Sequence, residues 1–455
     1  MTIQPARRIA FEVIHAVSVN DAYANLLLPV KIERAKLTTA DAALATELTY
    51  GTLRAQGYYD AVIEQVTSRA PSSLDAAVLD ILRLGCHQLL SMRVAPHAAV
   101  HEAVNLTREV ASRSATGFVN GVLRAISRTD REVWRERVLS DPDSADAGLS
   151  IEFSHPVWVI RAFRQALRAE GRESELSALL EADNAAPAVS LVALPGLCDV
   201  ADLAGSTPGS WSPVAARSTG GDPARIPAVS SGRARVQDEG SQLAALTLTR
   251  ARPVVPGERW LDLCAGPGGK SALLAAEAAL SGATVVANEV VPARAQLVRN
   301  ALAVFSPQPE VWVGDGRRVG ADHPESFSRI LVDAPCTGLG ALRRRPESRW
   351  RKVPGDVPEL AALQRALLDS AIAALRPGGL IAYVTCSPHI AETRMVVAHA
   401  LTSHPELREC DTRAVLDSVT ITPVGSPEGP GAVQLWPHRH GTDAMFIALL
   451  EKSAE

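Results

Sequence analysis

The chain has 455 residues, too many for one compact core, so two or three domains are expected, and a hydrophobic content of 47% excludes an intrinsically disordered chain. Lys and Arg number 46 against 50 Asp and Glu, a net charge of -4, which excludes a global basic field, so any nucleic-acid site must be local. No apolar run reaches the length of a membrane span, the first residues alternate charged with apolar side chains unlike a signal-peptide core, and the six cysteines include no C-x-x-C pair; a cytosolic protein without zinc knuckle or disulfide framework is expected.

Residues 6–128 show helical periodicity throughout, as where Leu74, Val78, Ile81, Leu82 and Leu89 recur at the spacing of one buried stripe. Pro71 and Pro96 fall between periodic segments, where proline punctuates helices without breaking them. An all-α domain is therefore expected over 1–140. The Asp- and Ser-rich stretch after Ser140 reads as a linker. A helix is expected over about 156–180, a β-type run over 188–194, and a long loop over the Gly-, Pro- and Ser-dense stretch 205–232. Residues 145–235 thus read as a small mixed α/β domain. From Gln237 onward strands alternate with helices, with apolar runs at 260–264, 284–287, 330–332 and 380–384. This is the pattern of a parallel sheet with right-handed crossovers, expected over 236–451.

The segment Cys264-Ala265-Gly266-Pro267-Gly268-Gly269-Lys270 joins the first of these strands to a helix, and its glycines let the backbone approach a ligand closely. A phosphate loop requires glycine where Cys264 stands, so the ATPase reading fails on spacing. Glu289, at the end of the second strand, can accept hydrogen bonds from both ribose hydroxyls, and Asp315, after the third, can accept from an adenine amino group. Each acid alone could be a solvated turn residue; at successive strand ends they favour an adenosine ligand. The loop from Cys264 to Lys270, with Glu289, Arg294, Asp315 and Asp333, is the candidate cofactor-binding set.

Asp333-Ala334-Pro335-Cys336 ends the fourth strand and Thr385-Cys386-Ser387 the fifth, which puts two thiols over the carboxyl edge of the sheet, where ligands bind in such folds. Either thiol is eligible as a nucleophile. Cys86, Cys198 and Cys410 read as small core residues, and Cys264 shares that character. His389, His438 and His440 lack a convincing metal-ligand spacing, and no metal is expected.

These motifs resemble those of the RNA cytosine-5 methyltransferases of the RsmB/Fmu (Nop2/Sun) family. The glycine loop is similar to the family's cofactor loop, Asp333 to Cys336 with the basic residues behind it to its Pro-Cys motif, and Thr385-Cys386-Ser387 to its Thr-Cys motif. Gln237-Asp238-Glu239-Gly240-Ser241-Gln242 and Gly441-Thr442-Asp443-Ala444-Met445-Phe446 extend the resemblance over 237–450. Gly266 stands where many relatives carry Ala, and Ala444-Met445 replace the usual Gly-Phe. The helical region resembles NusB, an RNA-binding fold, through His97-Ala98-Ala99-Val100 and Phe118-Val119-Asn120-Gly121-Val122-Leu123-Arg124. The resemblance implies a seven-stranded Rossmann-like methyltransferase domain preceded by an all-α NusB-like domain and a small mixed α/β domain. It also implies S-adenosylmethionine as cofactor, small-subunit (16S) ribosomal RNA as partner, Cys386 as nucleophile and Cys336 as the cysteine of product release.

The chemistry matches that assignment. Carbon 5 of cytosine is a weak nucleophile until a thiolate adds at C6, and the addition needs a proton or hydrogen bond at N3, for which Asp333 is placed. Lys270 would orient Asp333 or the base. Arg343, Arg344, Arg345 and Arg349, with Arg351 and Lys352, concentrate positive charge just after Cys336 and are the candidate RNA phosphate contacts. No membrane and no obligate protein partner are expected. The competing readings are a regulatory NusB-like RNA-binding protein with a vestigial methyltransferase half, against which the pair Cys336 and Cys386 speaks, and a tRNA or DNA cytosine-5 methyltransferase. The DNA arrangement would make the Pro-Cys cysteine the nucleophile.

Overall fold

The computed structural model describes residues 3–454 except Asp141 and residues 426–430. Two compact units emerge: residues 1–164, 174–186 and 342–352 form one, and residues 165–173, 187–341 and 353–455 the other. Residues 145–235, read from sequence as one middle domain, are distributed between them.

The first unit is helical. Its periodic segments become helices such as Pro5–Asn20, Thr39–Arg54, Ala76–Leu90, Pro96–Val110 and Arg113–Ile126. Their apolar stripes meet in one core containing Ile14, Leu48, Tyr59, Ile81, Leu82 and Leu123. Helix starts are fixed locally: Thr38, Asp75 and Ser112 each accept a hydrogen bond from a backbone N–H of the first turn. The stretch expected as a linker also contains such a signal. Ser144 accepts from Ala147 N and opens the helix Ala145–Phe153. The single helix expected over 156–180 is two, Val157–Ala169 and Leu176–Asn184, because Gly171 adopts φ 69° between them.

The second unit contains two sheets. The smaller is built from β1 (Ser190–Ala193), β2 (Ser206–Pro208), β3 (Ala215–Ser218) and β4 (Ala234–Val236), antiparallel in the order β2-β3-β1-β4. β2 and β3 lie inside the stretch expected as a long loop. Their short, small-residue sequences carry no period-2 signal, and they form by pairing, β3 with β1, where Ala216 and Leu191 are buried together, and β2 with β3.

The larger sheet comprises β5 (Arg259–Asp262), β6 (Thr284–Asn288), β7 (Glu310–Trp312), β8 (Phe327–Asp333), β9 (Leu375–Thr385), β10 (Leu407–Glu409), β11 (Val433–Gln434) and β12 (Phe446–Lys452). Seven strands follow the order β10-β12-β9-β8-β5-β6-β7, with β11 adding to β12 beside this path. β5 to β9 pair in parallel, whereas β12 runs antiparallel to both β9 and β10. Ile330, Leu331 and Val332 are fully buried, as expected of a strand covered on both faces. Chain order reverses between β5 and its neighbours β6 and β8, and the carboxyl ends of these strands define a ligand crevice there. No described helix is long and apolar enough to cross a membrane.

Candidate active site

The glycine loop leaves β5 and enters the helix Gly269–Ser281. Gly268 has φ 102°, and a Cβ there would lie 2.7 Å from Ala301 Cβ and 3.0 Å from Val298 Cα, so neither conformation nor space admits a side chain. Ala265 N donates to Asn288 O at 2.8 Å and Gly268 N to Ala265 O at 2.7 Å, while Pro267 is exposed. Glu289 is buried, and its carboxylate accepts from Gly266 N at 3.0 Å and Val291 N at 2.9 Å. Arg294 closes the loop from outside, donating to Gly266 O at 2.6 Å. Asn288 Nδ2 donates to Leu263 O at 3.0 Å and Gly314 O at 3.2 Å, tying together the ends of β5 and the β7 loop. Asp315 accepts from Arg317 N at 3.0 Å and Arg317 Nη2 at 2.6 Å, and that arginine holds its carboxyl below the usual range.

Two further observations fit an adenosine-type ligand in this cradle. The open first turn of the helix Gly269–Ser281 presents backbone N–H groups toward the loop. The amide of Gln237 is buried with no hydrogen-bond partner among the described residues, and a side chain at Gly269 would sit 3.7 Å from its Nε2. Beneath the loop, burial pushes the Asp262 carboxyl up to about 7, against the opposing hydrogen bond from Ser271 Oγ at 2.6 Å.

The two thiols converge. Cys336 follows β8, Cys386 follows β9, and their sulfurs are 3.5 Å apart, both half-buried. Gly340 lets the loops approach: its N–H donates to Cys386 O at 2.8 Å, Ala444 N donates to Gly340 O at 2.9 Å, and a Cβ there would lie 2.1 Å from Ala444 O. Lys270 Nζ reaches Asp333 Oδ2 at 2.7 Å. Burial works against the Lys270 charge, but Asp333 and the Cys386 sulfur outweigh it and raise its pKa. The thiols are driven apart. The Cys386 pKa falls, first because Cys336 donates to it and also because Lys270 is near, whereas that of Cys336 rises through the same hydrogen bond, burial and the charges of Cys386 and Glu392. Of the two, Cys386 is the one whose environment favours the thiolate and Cys336 the one whose environment favours the thiol. Burial raises Cys264 far out of the reactive range.

Both units match known proteins. The 16S rRNA methyltransferase RsmB/F family model matches residues 251–451, and the NusB family model residues 4–128. Rv1407 of Mycobacterium tuberculosis, a chain named only as a methyltransferase, is 49% identical over 99% of this chain and 97% of its own. Ribosomal RNA small subunit methyltransferase B of Enterobacter sp. (strain 638) is 31% identical over 99% of this chain and 100% of its own. The chain belongs to the 16S rRNA methyltransferase RsmB/F family. Among solved structures, PH0851 shares the fold with a TM-score of 0.81 at 23% identity, covering 99% of this chain and 100% of that one. A methyltransferase homologue from Pyrococcus horikoshii does so with a TM-score of 0.52 at 20% identity, over 67% of this chain and 97% of its own.

For this RsmB/F family member, the basic stretch behind Cys336 differs from the sequence expectation. Residues 342–352 belong to the helical unit. Arg349 is fully buried and donates to Ser154 O at 3.0 Å, Asn184 Oδ1 at 2.9 Å and Arg54 O at 3.3 Å, and desolvation pushes its pKa down to about 10. Arg343 is also buried, and Arg54 Nη2 donates to its carbonyl at 3.2 Å. Neither is presented to a phosphate. Arg345 is exposed and stacks over Tyr23, and Arg344 is half-exposed. A charge run in sequence does not distinguish arginines that face solvent from those that satisfy buried carbonyls. Asn288, Gln237 and Glu392 were not among the expected site residues, although Gln237 opens a motif that carries the family resemblance. Of these Asn288 carried a usable signal, an amide beside Glu289 at a strand end.

Proposed function

We propose that this chain transfers a methyl group from S-adenosylmethionine to carbon 5 of a cytosine in small-subunit ribosomal RNA through a covalent intermediate on Cys386. The observation that carries the reading is the pair of thiols 3.5 Å apart, one with lowered and one with raised pKa, beside the Lys270–Asp333 ion pair. Glu289, Asp315 and the loop from Cys264 to Lys270 would hold the cofactor, with Arg294 closing the loop. Bound there, it supplies an electrophilic methyl group on a sulfonium sulfur.

Each remaining step falls to residues of the chain. The Cys386 thiolate adds to C6 of the base, forming a carbon–sulfur bond and pushing the C5=C6 electron pair toward C5. Charge develops at N3, where the Lys270–Asp333 pair can deliver a proton or hydrogen bond. Solvent water takes the C5 proton, and the electron pair of the broken C–H bond restores C5=C6 and expels the Cys386 sulfur. Cys336 retains its proton and donates to that departing thiolate across the 3.5 Å that separates the two sulfurs. The target base must be unstacked or single-stranded to reach the crevice. The NusB-matching unit and the exposed Arg345 would contact the RNA, and the site of action is where ribosomal RNA is, the cytoplasm. A vestigial half would have no reason to keep the thiols in contact.

Bisulfite sequencing of small-subunit ribosomal RNA incubated with the chain and S-adenosylmethionine tests the proposal. One new 5-methylcytosine is expected. A methyl group on another base, or on none, would overturn it.

A further inference from the structure

Beneath the thiols lies a carboxylate that the mechanism above does not use. Glu392 ends the short turn Ile390–Glu392 and is fully buried. Its Oε1 accepts from Thr337 N at 2.7 Å and Gln364 Nε2 at 3.4 Å, and its Oε2 from Thr337 Oγ1 at 2.5 Å and Ser387 Oγ at 2.6 Å. Among the described residues no cation forms an ion pair with it. Four donors converging on two oxygens are what an ionised carboxylate requires when it is taken out of water without a counter-ion. Thr337 and Ser387 are the residues that follow Cys336 and Cys386 in sequence.

We propose that Glu392 is a positioning residue for the thiol pair, one buried carboxylate that binds the residue after each cysteine and so holds the two cysteine loops in a single register. This rests on the covalent reading of the pair given above. The clamp is closed on every side. Thr337 Oγ1 and Ser387 Oγ are 3.0 Å apart, Gln364 Nε2 also donates to Pro335 O at 2.8 Å, and Tyr383 Oη donates to Glu392 O at 2.7 Å. Backbone and side chain of Thr337 are both held, which leaves the adjoining Cys336 sulfur little freedom relative to Cys386. The Glu392 charge also lies on the Cys336 side of the pair, whereas the Lys270 cation lies on the Cys386 side. Asp333, Asp443 and Glu392 are the acidic neighbours of the thiols, Lys270 the cationic one, and Tyr383 and Cys264 the other titratable groups nearby. One carboxylate therefore fixes the distance between the sulfurs and helps decide which of them keeps its proton.

The test reads thiol chemistry apart from methyl transfer. The full chain, without RNA, is alkylated with iodoacetamide across a pH series, and the Cys336 and Cys386 peptides are quantified by mass spectrometry. Glu392→Gln keeps the shape and removes the charge. The alkylation midpoint of Cys336 should move to lower pH, and kcat should fall about tenfold or more with KM for S-adenosylmethionine within about twofold. Ser387→Ala and Thr337→Val keep the carboxylate but remove a donor. They should lower kcat while leaving the Cys336 midpoint in place, and they decide the matter if Glu392→Gln does not fold. A Cys336 midpoint and kcat unchanged in Glu392→Gln, or full kcat in both donor variants, would overturn the proposal. If Cys386→Ala remains active, the covalent reading fails, while a displaced Cys336 midpoint in Glu392→Gln still upholds the clamp.

Discussion

Replacing Lys270 with Met removes the cation that bonds Asp333 at 2.7 Å and lies close enough to Cys386 to lower its pKa. The pair is largely shielded, with side-chain exposures of 12% and 27%, so solvent compensates only partly for its loss. A charge-assisted hydrogen bond contributes about 1.5–3 kcal/mol, and at about 1.4 kcal/mol per factor of ten kcat/KM should fall roughly 10- to 150-fold. The pH profile should move as well. Cys386 has a depressed pKa, so its thiolate is present above that value and lost as pH falls through it. Without Lys270 the pKa rises, and the acid limb of the rate profile shifts to higher pH. Initial rates of methyl transfer across a pH series for wild type and Lys270→Met provide the assay. A rate within about twofold of wild type and an unmoved acid limb would refute the claim that Lys270 poises Asp333 and Cys386.

Glu289→Ala should weaken S-adenosylmethionine binding about tenfold or more in calorimetry, since each ribose hydrogen bond to a carboxylate contributes about 1.5–3 kcal/mol; unchanged affinity would reject Glu289 as a cofactor ligand. Arg329 is fully buried, pairs with Glu258 at 2.8 Å and donates to the carbonyls of Leu248, Thr249, Arg252 and Pro253. Arg329→Met leaves that carboxylate without its counter-ion, though still bonded by Val255 N at 3.1 Å and Trp260 Nε1 at 2.7 Å, and should cost about 3–5 kcal/mol in chemical denaturation. Arg345→Ala should flatten the salt dependence of RNA binding by about one phosphate contact. Arg349→Ala should instead lower the stability of the helical unit by about 3 kcal/mol or more, because three buried acceptors lose their donor.

Strand ends and glycine turns made the α/β half legible. Gly268, Glu289, Asp333, Cys336 and Cys386 all sit where one strand passes into its loop, and the period of the apolar runs located those points. The segment after Ser140 was harder to read because its order depends on partners. Ser144 caps a helix inside what looks like a linker, Gly171 divides a continuous apolar pattern, and β3 and β2 exist only as successive ladders, β3 against β1 and β2 against β3. Arg343 and Arg349 show the same limit on the charged side. Composition marks them as solvent-seeking, but the carbonyls and amide that Arg349 serves lie far away in sequence, in residues 54, 154 and 184. Glu392 was invisible for a related reason. Its meaning comes from Thr337, which only the pairing of β8 with β9 brings near.

The division of labour between the two sulfurs is the centre of the account, and it is tested most directly by trapping the intermediate. Wild type, Cys386→Ala and Cys336→Ala would each be incubated with small-subunit ribosomal RNA and S-adenosylmethionine, then run on denaturing gels. Cys386→Ala has no thiolate to add at C6 and should form no adduct and no product. Cys336→Ala should still attack but lose the proton that assists departure, and so accumulate a covalent protein–RNA complex that survives denaturation. A stable adduct with Cys386→Ala and none with Cys336→Ala would contradict the assignment and make Cys336 the nucleophile.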